Sequence, residues 1–407
     1  MHHTSRSAGL ALACTVLLAA CGGGPDDESA GRAPEPPAAT RIDLLSSASR
    51  GMESVVFRGQ DAYVSLGNTA LEGTAVLRAG LPLTSASTWT PVAMGGCALG
   101  PADEFFPPRA PRLKLLADTL WLFQPWSDGP QPRAQEHSTC AMSAQAGSFA
   151  PRDQGLRACN EYYCSTLSMN ALKLSGSRLY SNAGAGINLF ASSDQGASWR
   201  VLRGGFDEFV CTHTQFQVIG DRVLVGGECP LDHAFLEAYQ LSADGMRLVS
   251  EDKLPITTPE LENRNIQFIE PVPDTQRVFV GVEGGLLRSE DGGRSFKFVI
   301  HNPVEGATAY PYVKAFLPLR GKPDTLVVGG FDKHNFRPYM AWSKDGGTTW
   351  TDISSMLPGY TRTANGADTR VAVVTSIAED PQGRILFTMN EREDQQGRLF
   401  QLTMGRR

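Results

Sequence analysis

The chain has 407 residues, a formal net charge of -6, and a composition of 41% hydrophobic, 8% aromatic and 20% charged residues. This is apolar mass enough for a large core and excludes a wholly disordered chain, while the acidity excludes nucleic acid as the natural partner. With 42 glycines and 26 prolines spread along it, the sequence is rich in turns, and an all-β fold is the first expectation.

Residues 1–20 carry one cation, Arg6, and then an apolar, small-residue run from Ala8 to Ala20 with no acid before Asp26. That is the layout of a secretory signal peptide, too short to span a bilayer. The run closes on Leu18-Ala19-Ala20-Cys21, which resembles the bacterial lipobox, so Cys21 is expected to carry lipid and become the mature N-terminus. Residues 21–40, opening Gly22-Gly23-Gly24-Pro25 and rich in Pro and Ala, cannot bury apolar surface and read as a flexible tether. The expected setting is extracytoplasmic, on the outer membrane or cell surface, with lipid as the only membrane attachment.

From residue 41 to 407 the sequence repeats. Ser192-x-Asp194-x-Gly196-x-x-Trp199, Ser289-x-Asp291-x-Gly293-x-x-Phe296 and Ser343-x-Asp345-x-Gly347-x-x-Trp350 are near copies, with weaker ones at Ser242-Ala243-Asp244-Gly245, Ser143 to Phe149 and Ser85 to Trp89. The spacing is close to fifty residues, a period of propellers and arrays. Seven short β-rich runs give an independent count: 62–66, 119–123, 178–180, 222–225, 277–280, 325–328 and 384–387. The last repeat ends without room for a fourth strand, and Arg41-Ile42-Asp43-Leu44-Leu45 can supply it, which would remove an open edge.

The three copies resemble the Asp box, or bacterial neuraminidase repeat. The resemblance implies a sialidase-like, seven-bladed β-propeller in which each box is a structural hairpin: its aspartate accepts turn N–H groups, its glycine takes a positive φ and its aromatic ring packs between sheets. Sialidases of that superfamily carry Arg-Ile-Pro near the first blade, three substrate-clamping arginines and a Tyr/Glu pair. Arg41-Ile42-Asp43 stands here instead, so the resemblance covers the fold and not an active site.

Beyond Cys14 and Cys21 six cysteines remain, and six allow fifteen pairings. Blade register favours Cys97 with Cys140, flanking the second blade, Cys159 with Cys164, sharing an inter-blade loop, and Cys211 with Cys229, as suits an oxidising compartment. All six then lie on the face made by the inter-blade loops and the loops between second and third strands.

The same face gathers acids (Glu104, Asp128, Glu161, Asp207, Glu208, Asp232, Glu270 and Asp332) and aromatic or basic candidates for ligand contact: Trp126, Tyr162, Tyr163, Tyr310, Tyr312 and Arg337. Aromatic faces with a few polar groups suit sugar rings or a protein partner. The histidines form no paired-ligand spacing, no nucleophile elbow or phosphate loop occurs, and no metal or cofactor is expected. Two function classes remain: a binding or scaffold module for a glycan or protein of the cell envelope, and a glycoside hydrolase using two of the acids.

Overall fold

The computed structural model describes residues 40–67, 75–97, 111–123, 137, 139–159, 164–166, 169–183, 188–204, 211–229, 234–261, 265–301, 311–332, 337–360, 372–392 and 395–405. Strand β1 (Arg41–Ser47) precedes the first blade, which is β2 (Met52–Arg58), β3 (Asp61–Leu66), β4 (Val76–Gly80) and β5 (Thr90–Pro91). The second is β6 (Arg112–Leu116), β7 (Thr119–Phe123), β8 (Thr139–Met142) and β9 (Ala150–Pro151). A small ladder, β10 (Arg157–Cys159) with β11 (Cys164–Thr166), leads to the third: β12 (Met169–Ser175), β13 (Arg178–Ala183), β14 (Leu189–Ser192) and β15 (Arg200–Arg203). The fourth has three strands, β16 (Thr212–Ile219), β17 (Arg222–Glu228) and β18 (Ala234–Gln240). The fifth is β19 (Ile266–Pro271), β20 (Val278–Val282), β21 (Gly285–Ser289) and β22 (Lys297–His301). The sixth is β23 (Tyr312–Leu319), β24 (Lys322–Asp332), β25 (Arg337–Ser343) and β26 (Thr351–Asp352). The seventh joins β27 (Val373–Glu379), β28 (Ile385–Arg392) and β29 (Gln395–Thr403) to β1, in the order β1-β29-β28-β27.

These sheets form a seven-bladed β-propeller. The second strand of each blade is the apolar run that the sequence counts seven times. It is apolar continuously rather than at alternate positions because a neighbouring blade covers each of its faces, as β17 and β20 show with runs of buried residues. One apolar cluster sits at every blade interface. The cluster between the seventh and first blades, with Met52, Val64, Leu386 and Leu399, closes the ring. Across the join β1 pairs antiparallel with β29 from Arg41↔Thr403 to Ser47↔Arg398. A register shift between Leu44 and Ser46 lets Ile42 pack on the sixth-to-seventh cluster and Leu45 on the seventh-to-first.

The Ser-x-Asp-x-Gly hairpins join third to fourth strands at one end of the ring. In each, the serine hydroxyl donates to the aspartate and accepts the glycine N–H, at 2.7 and 2.8 Å for Ser192. The aspartate accepts the backbone N–H four residues on: Ser198, Ser295 or Thr349, at 2.9, 2.9 and 2.8 Å. Two consecutive residues are left-handed, Gln195 with Gly196, Gly292 with Gly293 and Gly346 with Gly347. The second must be glycine for another reason as well: a Cβ at Gly196, Gly293 or Gly347 would run into Trp121, Leu224 or Phe279, each on the second strand of the preceding blade. Arginines tie the same end together across blades, Arg58 to the Met142 carbonyl (2.8 Å) and Arg288 to the Gly346 carbonyl (3.0 Å).

Burial pushes the Asp345 carboxyl up, but hydrogen bonds from Thr349 and Ser343 outweigh it and hold the group down at about 2; Asp291 and Asp194 are lowered for the same reason. An unfolded aspartate titrates near 3.9, so the stability these groups contribute is present above that pH and lost as pH falls towards the folded value. The melting temperature is therefore expected to drop between about pH 4 and pH 2, and less steeply in Asp345→Asn, as a thermal melt series at stepped pH would read.

Three expectations change. Trp350 packs against the cluster between the fifth and sixth blades but is half-buried rather than fully buried as expected, whereas Trp199 and Phe296 are buried. Cys140 lies within the third strand of the second blade rather than flanking the blade. Cys159 and Cys164 stand opposite one another in the β10–β11 ladder and not in a plain loop; their side chains lie outside those described.

Candidate functional site: the central channel

Strands alternate in direction within a blade, so the starts of the inner strands lie at the end of the ring opposite the repeat hairpins. Among the described residues two disulfides mark that end. Cys97–Cys140 joins the first blade to the second with Cα atoms 6.2 Å apart, and Cys211–Cys229 links the entry of β16 to the exit of β17 across 4.1 Å.

Inner strands β2, β6, β12, β16, β19, β23 and β27 surround a channel with a cavity of about 580 Å³. Six of the seven carry a one-residue register shift at the second or third position of the strand. The residue inserted is Glu53, Asn170, Thr214, Gln267, Lys314 or Thr375. Every one is polar and every one lines the channel. A bulge leaves one residue out of the ladder and turns it out of the sheet, so the repeated bulge converts an inner strand edge into a ring of polar side chains. Two members also stitch the ring, Thr214 donating to the Ile266 carbonyl (3.0 Å) and Thr375 to the Met52 carbonyl (2.7 Å) of the following blade.

Deeper in the channel three blades converge. The Lys173 ammonium, buried, donates to Glu270 Oε1 at 2.5 Å and to the Ile269 carbonyl at 3.0 Å, while Lys114 stands 3.8 Å from the same carboxylate. Burial lowers Lys173 to about 8, with Glu270 opposing. Burial pushes Glu270 up, but the two lysines outweigh it and hold it below the usual carboxylate range, so it stays ionised. Glu270→Leu leaves the Lys173 charge buried with no carboxylate and is expected to destabilise by about 3 kcal/mol at pH 7. A lysine whose folded value is depressed opposes folding while the unfolded chain binds the extra proton, so this loss should shrink as pH rises towards 10. Denaturant melts at pH 7 and 9 would check both size and sign.

At the mouth, Tyr312 donates to Glu283, with Glu228 also close. Burial and these two carboxylates push its phenol well above the ordinary value, so it works as a hydrogen-bond donor rather than as a phenolate. Its ring lies 4.5 Å from that of Phe331, over which Lys314 sits at 5.6 Å.

Tyr312, expected in an exposed loop, is instead the buried first residue of β23, and Glu270, expected on a loop, lies within β19. Arg337 opens β25 and stacks over Tyr360 at 4.9 Å, away from the channel lining. Asp332 ends β24. Trp126, Tyr162, Tyr163, Tyr310 and the remaining acids of that face lie outside the described residues. Sequence reading placed Lys314 on the loop face but missed Arg112, Lys114, Lys173 and the other members of the bulge set. The available signal was a polar residue about ten positions ahead of each second-strand run.

These features define a seven-bladed β-propeller with a charged central channel. No protein-family profile matches the sequence, and no curated protein does. Solved structures that it resembles include YCF48 bound to D1 peptide, with TM-score 0.51 and 12% identity over 90% of this chain and 97% of that one. The WD40 β-propeller domain of Doa1 gives 0.50 and 11%, over 88% and 96%. Puromycin hydrolase gives 0.50 and 13%, over 87% of this chain and 55% of that one. At such identities the likeness is one of fold.

Proposed function

We propose that the chain is a lipid-anchored, extracytoplasmic binding module of the Asp-box propeller kind, whose channel mouth holds a protein or glycan of the cell envelope. The ring of six bulged polar residues carries the reading, because it spends a ladder position in six blades to aim hydrogen-bonding groups at one axis. The two disulfides at the mouth suit an oxidising compartment, and a peptide-bound propeller stands among the fold neighbours. The proposed attachment is lipid on Cys21; no described helix is long and apolar enough to cross a membrane. Cys21→Ser is accordingly expected to move the protein out of the membrane fraction or stall its processing; firm retention would contradict the anchor.

A pull-down from solubilised envelope, run beside a glycan array with full-length protein, tests the binding role. Gln267→Ala with Lys314→Ala should lose the partner that wild type captures, while Asp345→Ala on the hairpin end should keep it. The reverse pattern would overturn the placement.

A hydrolytic role is the second reading, favoured by Tyr312 beside Glu283 and Glu228 within a channel. Turnover of glycoside substrates that disappears in Tyr312→Phe would support it over binding alone.

A further inference from the structure

Eight charged residues among the described ones line the channel, and they are not mixed around it. Of these, the second and third blades contribute Arg112, Lys114 and Lys173 and the fourth and fifth contribute Glu228, Glu270 and Glu283. Glu53 on the first blade and Lys314 on the sixth complete a lining of four cations and four anions. The described lining therefore carries no net formal charge but has a cationic wall on the second and third blades beside an acidic one on the fourth and fifth. At its depth the two walls meet, an ammonium of the third blade lying on a carboxylate of the fifth. Lys114, at 3.8 Å, is within ion-pair range of that carboxylate yet beyond hydrogen-bond reach, so Glu270 does not use up its three donors.

We infer that the channel is a site for a small zwitterion, a free amino acid or a short peptide, with its carboxylate towards Arg112 and Lys114 and its ammonium towards Glu228 and Glu283. The assignment rests on the binding-module reading and deepens it. A ligand of one sign would be favoured by one wall and repelled by the other, whereas a neutral molecule with both charges matches both. The volume suits such a ligand: cavities of about 300 to 1,000 Å³ bury most of a small molecule's surface. The amide of Asn170 on the cationic wall, that of Gln267 on the acidic one and the phenol of Tyr312, kept protonated, add hydrogen-bonding groups to the lining.

Titration calorimetry on the purified full-length chain would use four probes: L-alanine, trialanine, N-acetyl-trialanine and trialanine amide. Either L-alanine or trialanine should bind, which separates the free amino acid from the peptide as source. If trialanine binds, each cap should weaken it at least about tenfold; if L-alanine binds, its N-acetyl and amide derivatives should do the same. Lys114→Gln should weaken the uncapped probe about tenfold and leave its amide unchanged, with Lys114→Arg restoring affinity and thermal melts confirming that each variant is folded. Failure of both zwitterions to bind, or caps without effect, would overturn the inference. The envelope pull-down assumes nothing about ligand charge, so a captured partner together with either of those failures would discard the zwitterion and keep the binding module.

Discussion

Removing residues 1–47 is expected to lower stability by roughly 5 kcal/mol, whereas removing residues 1–37 should leave it unchanged. The larger deletion takes away β1, whose ladder to β29 spans Arg41 to Ser47, and each backbone hydrogen bond lost contributes about 1 kcal/mol. Ile42 and Leu45 also leave the two apolar clusters on either side of the seventh blade, uncovering part of Phe400 and Leu399. The exposed edge of β29 would then be free to pair with other chains, so the truncated protein should also aggregate. Thermal melts and light scattering on both truncations give the comparison; equal midpoints would contradict closure of the ring by the N-terminal strand.

Trp199→Ala is expected to cost about 4 kcal/mol, and Trp350→Ala about half as much. Both tryptophans hold the same place in the repeat, but their surroundings differ. Trp199 is 5% exposed, packs in one cluster with Trp121, Leu172 and Phe190, and donates its indole N–H to the Arg152 carbonyl at 2.8 Å. Alanine there opens a cavity and leaves that carbonyl without its partner. Trp350 is half-buried at the edge of the cluster between the fifth and sixth blades and donates its indole N–H within its own hairpin, to the Gly347 carbonyl at 3.2 Å. Urea denaturation of the two variants would read the difference directly; equal losses would mean that the repeat aromatic acts through the hairpin and not through the blade interface.

The architecture was legible in the sequence because its signals are local and repeated. Val223-Leu224-Val225 and Val278-Phe279-Val280 are apolar without alternation since both of their faces are covered, and seven such runs count seven blades. The missing last strand followed from counting, and Ile42 to Leu45 was the available segment. The channel was not legible in the same way. A bulge is a property of how two strands pair, so nothing in the residue type of Asn170 or Gln267 announces that it leaves the ladder. Lys173 and Glu270 meet across the ring from positions 97 apart, a contact that only the closed ring creates. Tyr312 was singled out for exposure, whereas it is buried beside Glu283, a setting that no local residue pattern announces.

Partner binding at the channel mouth, with the repeat hairpins serving stability alone, predicts that the two ends of the ring differ in what they touch. Site-specific photocrosslinking in cells tests this most directly, with a benzophenone amino acid at Gln267 on the mouth or at Arg294 on an exposed hairpin of the opposite end. A discrete adduct from Gln267, and none from Arg294, is the predicted result; an adduct formed from Arg294 alone would contradict it.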